Sequence, residues 1–99
     1  MSVRVVWKFT VSLDPLAAQF TQSIAMPIGA RFLHAAAQGH ALALWYEVDP
    51  KAETEDRRFQ LFGTGDGPIR DHLTYVGTGI FADGALVLHV YEVTGEVSP

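Results

Sequence analysis

The sequence predicts an all-β domain of mainly antiparallel strands, built as a small sandwich or a partly closed barrel with at most one short helical turn. Three observations support this fold class. The N-terminal segment alternates apolar and polar residues with a period of two. Gln38-Gly39 and Asp83-Gly84 each separate two apolar runs, as the turns of hairpins do. Seven strand-like segments follow one another at short intervals, which is not the spacing of a βαβ fold.

The first strand has the clearest pattern. Apolar side chains occupy every second position from Val3 to Val11, so one face of this strand is expected to meet a core. Asp14-Pro15 ends the alternation, because proline has no amide hydrogen for a strand ladder. Leu16-Ala17-Ala18 allows at most a turn of helix, and residues 19–26 are predicted to run extended into Pro27.

The first predicted hairpin joins Ala30–Gln38 to Ala41–Asp49 through a turn at Gln38-Gly39. Its first strand is rich in alanine and also fits a helix, an alternative that the residues leave open. Gly29 before it, the turn after it and the β-favouring residues of the next segment favour a strand.

The second predicted hairpin joins Tyr75–Phe81 to Ala85–Val93 through a two-residue I′ turn at Asp83-Gly84. Because directly opposite residues share a face, the two turns fix which side chains are neighbours. The predicted cross-strand pairs are Phe32 with Trp45, His34 with Ala43, Val76 with Tyr91, Thr78 with His89, and Ile80 with Val87.

The segment between the hairpins is predicted to be mostly loop. Pro50–Arg58 is the most charged stretch and is interpreted as a solvated loop before a short strand at Phe59–Phe62. Gly63–Pro68 has the glycine density of a tight exposed turn, and Arg70–Leu73 allows a single helical turn. After the second hairpin, Thr94–Pro99 is predicted to be a frayed tail.

The composition predicts one folded domain over residues 1–99, because 48% of the 99 residues are hydrophobic. Without cysteine the chain has no disulfides, thiolate metal sites or thiol nucleophiles. The formal charge of −4 argues against broad nucleic-acid binding, and no apolar run is long enough for a membrane helix. With no signal-peptide pattern at the start, we expect a cytoplasmic protein.

The motif most open to a chemical interpretation is Gly63-Thr64-Gly65-Asp66-Gly67, because glycine-rich turns can direct amides at an anion. Arg57 and Arg58 precede it closely and are candidates for binding phosphate, with Trp45 or Tyr46 stacking on a ligand. The turn lacks the Lys-Ser/Thr of a Walker loop and the βαβ setting of a dinucleotide loop. An ordinary turn is the simpler interpretation.

His89 is the histidine of most interest, because it lies between apolar residues and is predicted to face Thr78. It is interpreted as a satisfied histidine or one at the edge of a ligand site. No serine is placed to act with it, so we predict no catalytic residue, and a small hydrolase using His89 is the least favoured function. The four histidines show no short metal-ligand spacing, so no metal or cofactor is predicted.

A series of short motifs resembles a family of small uncharacterised phage and prophage proteins. In chain order the motifs are Trp7-Lys8-Phe9, Met26-Pro27-Ile28-Gly29-Ala30, Trp45 with Val48-Asp49-Pro50, Arg57-Arg58-Phe59, Gly63-Thr64-Gly65, Tyr75-Val76-Gly77-Thr78 and His89-Val90-Tyr91-Glu92. The resemblance implies a β-rich fold and an origin in a phage or mobile element. It implies no particular reaction.

These observations favour a non-enzymatic binding protein of phage or prophage origin that acts in the host cytoplasm. Its partner would be a host protein, in which case it would antagonise a host process, or a small anionic ligand that it sequesters. The alternative is a structural or assembly protein of a phage, in which an exposed edge strand or aromatic face forms a homo-oligomer. Residues alone do not choose between the two, because both functions use exposed apolar groups.

Overall fold

The computed structural model describes residues 3–14 and 21–95. Within these ranges the chain forms seven strands and one short 3-10 turn. The strands are β1 Val5–Ser12, β2 Gln22–Pro27, β3 Arg31–Gln38, β4 Ala41–Val48, β5 Thr54–Gly63, β6 Leu73–Phe81 and β7 Leu86–Val93, and the 3-10 turn is Ala82–Gly84. The predicted helical turn at Leu16-Ala17-Ala18 lies outside the described residues.

Two antiparallel sheets face each other. The three-stranded sheet has the order β1-β4-β3, and the four-stranded sheet has the order β2-β5-β7-β6. The predicted all-β antiparallel fold is therefore confirmed, and the two sheets are not closed into a barrel. No helix within residues 3–14 and 21–95 is long and apolar enough to cross a membrane.

The core lies between the sheets and is formed by alternate residues of their inner faces. Fully buried side chains include Leu42, Leu44, Tyr46, Phe59 and Val90. Burying a side chain of this size contributes about 1.5–3 kcal/mol. At one edge the sheets come very close, because Gly77 of β6 lies against Ala35 of β3.

The register of the β3–β4 hairpin differs from the predicted one. Gln38 pairs with Ala41, so the turn is Gly39-His40, and Gly39 supplies the positive φ of 59° that a two-residue hairpin turn needs at its first position. His34 consequently lies opposite Trp45 instead of Ala43.

A bulge between Phe32 and His34 adds a second change to this hairpin. It sets Phe32 opposite Tyr46, so Phe32 turns towards the core instead of sharing a face with Trp45. The alanine-rich segment is a strand and not a helix, and the strand begins at Arg31.

The β6–β7 register is confirmed over most of its length. Thr78 pairs with His89 and Ile80 pairs with Val87, as predicted. The predicted two-residue turn is wrong, because Phe81 and Leu86 are the last pair and residues 82–85 form the loop. The predicted pairing is nevertheless correct, because Asp83-Gly84 lies at the centre of the loop.

A bulge in β6 changes one predicted pair. The irregularity falls between Tyr75 and Gly77, so Tyr75 lies opposite Tyr91 in place of Val76. Val76 packs against the core instead. Tyr75 thus takes the place predicted for Val76 on the outer surface of the four-stranded sheet.

The charged stretch before Phe59 is not a loop throughout. β5 begins at Thr54, so residues 54–58 belong to a strand that pairs with β2. Charged residues fit a strand here because alternate side chains point outward, where Asp56 and Arg58 are exposed. The predicted helical turn at Arg70–Leu73 is a turn closed by one backbone hydrogen bond, and it forms no helix. Thr94, at the start of the predicted frayed tail, donates its backbone amide to the carbonyl of His72.

Candidate functional site

The residues predicted to form a site fall in three different places. Arg57 and Tyr46 lie between the sheets, and Trp45 lies on the outside of the three-stranded sheet. The others belong to the outside of the four-stranded sheet or to the turn at its end, namely Arg58, Gly63, Thr64, Gly65, Thr78 and His89. The structure therefore brings Thr64, Thr78 and His89 together and separates them from Arg57.

Arg57 is bound by groups of the protein itself. Its Nε donates to Glu92 Oε2 at 2.6 Å and its Nη2 donates to Oε1 at 2.7 Å, while Nη1 donates to the Ala30 carbonyl at 2.8 Å. The guanidinium also lies 5.1 Å from the centre of the Tyr46 ring. The hydrogen bonds to Glu92 raise the pKa of Arg57 above its already high value, so the side chain stays charged.

Tyr46 is fully buried and is not in a position to stack on a bound ligand. Its ring makes edge-on contacts with Phe9 and Phe32 at centroid distances of 5.8 and 5.5 Å. Burial raises the pKa of its phenol to about 12, with the charge of Arg57 acting in the opposite direction. Its hydroxyl has no hydrogen-bond partner within the described part of the chain.

Arg58 and Trp45 are exposed or half-buried, but they lie far from each other in the fold. Arg58 follows Arg57 in a strand, so it points to the opposite face of the sheet and the two cations do not converge on one ion. Trp45 lies beside His34, with their ring centroids 6.1 Å apart.

The glycine-rich turn is closed by its own aspartate. The Gly63 amide donates to Asp66 Oδ2 at 3.0 Å, and the Asp66 amide donates to the Gly63 carbonyl at 3.0 Å. Gly65 has a φ of 92°, which glycine adopts without strain. A carboxylate of the chain thus occupies the position in which an external anion would meet the Gly63 amide.

His89 is the centre of a continuous line of hydrogen bonds. Its Nε2 lies 2.9 Å from Thr64 Oγ1, and its Nδ1 lies 2.9 Å from Thr78 Oγ1. Thr78 Oγ1 in turn lies 2.6 Å from the hydroxyl of Tyr75. In a neutral imidazole one ring nitrogen donates and the other accepts, so hydroxyls satisfy both nitrogens. The ring is therefore held from both sides.

Aromatic rings flank this line of hydrogen bonds. Tyr91 makes edge-on contacts with Phe62 and Tyr75, at centroid distances of 5.4 and 5.5 Å. Together with the histidine and its neighbours these rings form a surface that we call the aromatic face. Its residues are Phe62, Tyr75, Thr78, Ile80, His89 and Tyr91, all on the side of the four-stranded sheet away from the core.

The sequence pointed to Thr78 and His89 as site residues and placed Tyr91 beside them opposite Val76, but it gave Phe62, Tyr75 and Tyr91 no role in the site. Tyr91 lies two residues after His89 on β7, so the alternation of side chains along that strand was available as a signal for it. Phe62 lies opposite His89 only because β5 pairs with β7. The position of Tyr75 could not be predicted from this alternation, because the bulge at Val76 moves Tyr75 onto the aromatic face.

Residues 2–98 match the sequence pattern of a protein family described as Domain of unknown function (DUF7352). The chain belongs to this family. Neither a curated protein nor a solved structure matched the chain. The matched residues span both sheets and include the aromatic face and the Arg57–Glu92 pair.

Two further features bear on what this DUF7352 domain can bind. A cleft lined by Leu13, Asp14, Gly39, His40, Phe81, Ala82 and Leu86 opens at one end of the sandwich. None of the site residues predicted from the sequence lines it. Among residues 3–14 and 21–95, no three histidines, aspartates or glutamates lie close enough to hold a metal ion.

Proposed function

We propose that this protein is a non-enzymatic binding protein of phage or prophage origin that engages a host protein through the aromatic face. The single observation that carries the proposal is the line of hydrogen bonds from Thr64 through His89 and Thr78 to Tyr75. It holds a histidine and an exposed tyrosine in fixed positions on an open sheet surface. The phage origin rests on the sequence resemblance.

Fixed aromatic side chains favour binding for an energetic reason. Ordering a flexible side chain at an interface costs about 0.5–1.5 kcal/mol, and a side chain already held in place avoids that cost. Tyrosine and phenylalanine are enriched in protein interfaces, where their rings supply contact area. Tyr75 and Ile80 are exposed on this face and are the natural first contacts for a partner.

The groups predicted to bind an anion are already bound to other groups of the protein, which favours a macromolecular partner over a small anion. Arg57 binds Glu92 and Ala30, and the Gly63 amide binds Asp66. Small-molecule sites are usually concave, and the aromatic face consists of side chains standing on an open sheet. Arg58 remains as an exposed cation on this side of the sheet for an acidic group of the partner.

Binding is also favoured over hydrolysis by the partners of His89. A histidine acting as general base is commonly oriented by a third group such as a carboxylate, and its other nitrogen faces the nucleophile. Here Thr64 and Thr78 supply hydroxyls to the two nitrogens. Hydroxyl groups of the chain itself therefore hold both nitrogens, which fixes the ring in position.

The proposal is tested by native mass spectrometry of the tagged protein, purified gently from a phage-infected bacterial lysate. We expect a complex with one host protein that is lost from His89→Ala. The matched control is His40→Ala, which removes an exposed histidine from the Gly39-His40 turn and should retain the complex. Circular dichroism establishes that both variants are folded. A complex that survives His89→Ala would contradict the proposal.

Sequestration of a small ligand gives a different result in the same measurement. A retained small-molecule mass that disappears in Arg58→Ala would replace the host protein with an anionic ligand. Turnover of an ester or phosphate substrate that is abolished in His89→Ala would support the hydrolase. Either result would contradict binding of a host protein through the aromatic face.

A further inference from the structure

β1 presents an unusually regular free edge. It pairs with β4 without interruption from Val5 to Ser12, and its other side has no strand partner in the described sheets. At the far end the Gln22 side chain accepts from the Ser12 amide and donates to the Ser12 carbonyl, each at 2.9 Å, so the edge is open from Val5 to Val11. Three apolar residues at its start are exposed, namely Val5, Val6 and Trp7, and so is Val3 just before the strand. We call this strip the β1 edge. An exposed, regular, apolar edge strand is a template for pairing with another strand.

The other edge strands of the described sheets carry features that hinder such pairing. β3 is bulged between Phe32 and His34, and β6 is bulged between Tyr75 and Gly77. β2 is short and ends in Pro27, which has no amide hydrogen. Natural sheets use bulges, prolines and short strands to prevent edge pairing. The β1 edge lacks all three.

The two positively charged side chains near the β1 edge, Arg4 and Lys8, contact residues of β4 and β3. Lysine on an edge strand normally discourages pairing. Here Lys8 Nζ donates to Gln38 Oε1 at 2.7 Å, so the side chain reaches across β4 towards β3. Arg4 Nε lies 3.9 Å from Glu47 Oε1 of β4. Both cations therefore lie over their own sheet and leave the edge apolar.

We propose that the β1 edge pairs antiparallel with the β1 edge of a second copy of this chain. A two-fold axis at Trp7 would join the two three-stranded sheets into one sheet of six strands. Residues of like position then share a face, so the inward side chains of one copy continue the inward surface of the other. This interface is separate from the aromatic face, which lies on the other sheet.

Like-charge repulsion disfavours the two registers that neighbour this one. An axis at Trp7 sets Val5 opposite Phe9, Val6 opposite Lys8 and Arg4 opposite Thr10 of the second copy. No like charges are then directly opposed. Moving the axis one residue towards the N-terminus sets Arg4 opposite Lys8, and moving it one residue the other way sets Lys8 opposite Lys8. Directly opposed like charges destabilise a strand pair.

The apolar side chains gain burial in the same register. Trp7 and Phe9 lie on the inner face of the three-stranded sheet, paired with Tyr46 and Leu44, and their ring centroids are 6.4 Å apart. Across the axis each Trp7 meets Trp7 of the second copy. The dimer would therefore extend the existing aromatic cluster as well as the hydrogen-bonded sheet.

The test is the mass of the purified protein in sedimentation and light scattering over a hundredfold range of concentration. We expect twice the chain mass of 10.8 kDa, falling to the monomer on dilution. Val6→Lys places a charge on the edge and should leave a folded monomer at every concentration. The matched control is Ile80→Lys on the bulged strand β6, because Ile80 is 63% exposed and Val6 is 58% exposed. It should remain dimeric.

The register is tested by cross-linking, since the chain has no cysteine of its own. Directly opposite residues in antiparallel strands have Cα atoms about 4.5–5.5 Å apart, which suits a disulfide. Trp7→Cys should therefore give a disulfide-linked dimer on mild oxidation. Val3→Cys should not, because its two copies would lie about 26 Å apart.

Three outcomes would overturn the inference. A wild-type protein that is monomeric at every concentration excludes the dimer. A Val6→Lys variant that stays dimeric places the contact on another surface. Equal cross-linking of Trp7→Cys and Val3→Cys excludes the register centred on Trp7.

Discussion

Arg57 and Glu92 form a bidentate ion pair between β5 and β7, with N···O distances of 2.6 and 2.7 Å. The side chains are only 19% and 12% exposed. The pair is also tied to the Ala30 carbonyl and lies against the Tyr46 ring, so it connects the two sheets. A residue that the sequence offered as an anion ligand therefore stabilises the interior of the domain.

Glu92→Gln should destabilise the protein by about 3 kcal/mol, because it removes the carboxylate that is hydrogen-bonded to the Arg57 guanidinium in a largely buried position. Urea unfolding measures the change in the free energy of unfolding. The control is Arg31→Ala, which breaks the exposed pair with Glu47, whose side chains are 69% and 31% exposed. That change should cost no more than about 0.5 kcal/mol.

The double variant Arg57→Met, Glu92→Leu separates the charge from the shape of this pair. Apolar side chains of similar volume avoid the desolvation cost, so the double variant should be more stable than Glu92→Gln. A double variant that is less stable than Glu92→Gln would mean that the hydrogen bond to Ala30 outweighs the ion pair.

Tyr46→Phe should leave stability unchanged or raise it by about 1 kcal/mol. The variant keeps the ring contacts with Phe9, Phe32 and Arg57 but removes a buried hydroxyl that has no partner in the described part of the chain. An unsatisfied buried polar group costs about 1–3 kcal/mol. Thermal unfolding provides the measurement, and a loss of stability greater than about 1 kcal/mol would show that the hydroxyl is satisfied.

Stability should fall between pH 10 and pH 12 because of the same phenol. The folded-state pKa of Tyr46 is raised to about 12 from an ordinary value of 10.0, so over this range the folded chain holds a proton that the unfolded chain has lost. The free energy of unfolding then decreases as pH rises. The expected loss is about 2–3 kcal/mol by pH 12. Urea unfolding at each pH should give a smaller loss for Tyr46→Phe, and equal losses would contradict the raised pKa.

Gly77→Ala tests the close approach of β6 to β3. A Cβ atom at this position would lie 2.5 Å from the Cβ of Ala35, which is far inside normal contact. We expect a loss of about 2–3 kcal/mol. Adding Ala35→Gly removes the obstructing methyl group and should recover part of the loss, although glycine in a strand itself costs about 0.5–1 kcal/mol. Strictly additive losses would mean that the two residues are not in contact.

The fold class followed from signals that depend on local sequence. The alternation in β1 and the Asp83-Gly84 loop centre were enough to identify strands and one register. The β3–β4 register was misjudged because either residue beside Gly39 could complete the turn, and the bulge after Phe32 has no sequence marker of its own. Bulges are set by contacts between sheets, and these are not visible in a single sequence.

The candidate site was less predictable, because each role depends on partners distant in the chain. The sequence suggests that Arg57 is a free cation, but in the structure it pairs with Glu92, which is 35 residues away in the chain. Tyr46 and Trp45 are neighbours of similar character, and only the packing of the two sheets decides which is buried. The Thr78–His89 contact was predictable because it lies within one hairpin whose register was correct.

The most direct test of the proposed function is parallel native mass spectrometry of three tagged proteins from phage-infected cells: the wild type, Tyr75→Ala and Val6→Lys. Tyr75→Ala alters the aromatic face, and Val6→Lys alters the β1 edge. We expect the wild type to carry a host protein, Tyr75→Ala to lose it, and Val6→Lys to keep it. A wild type without a host protein, or a complex that Tyr75→Ala leaves intact, would contradict binding through the aromatic face.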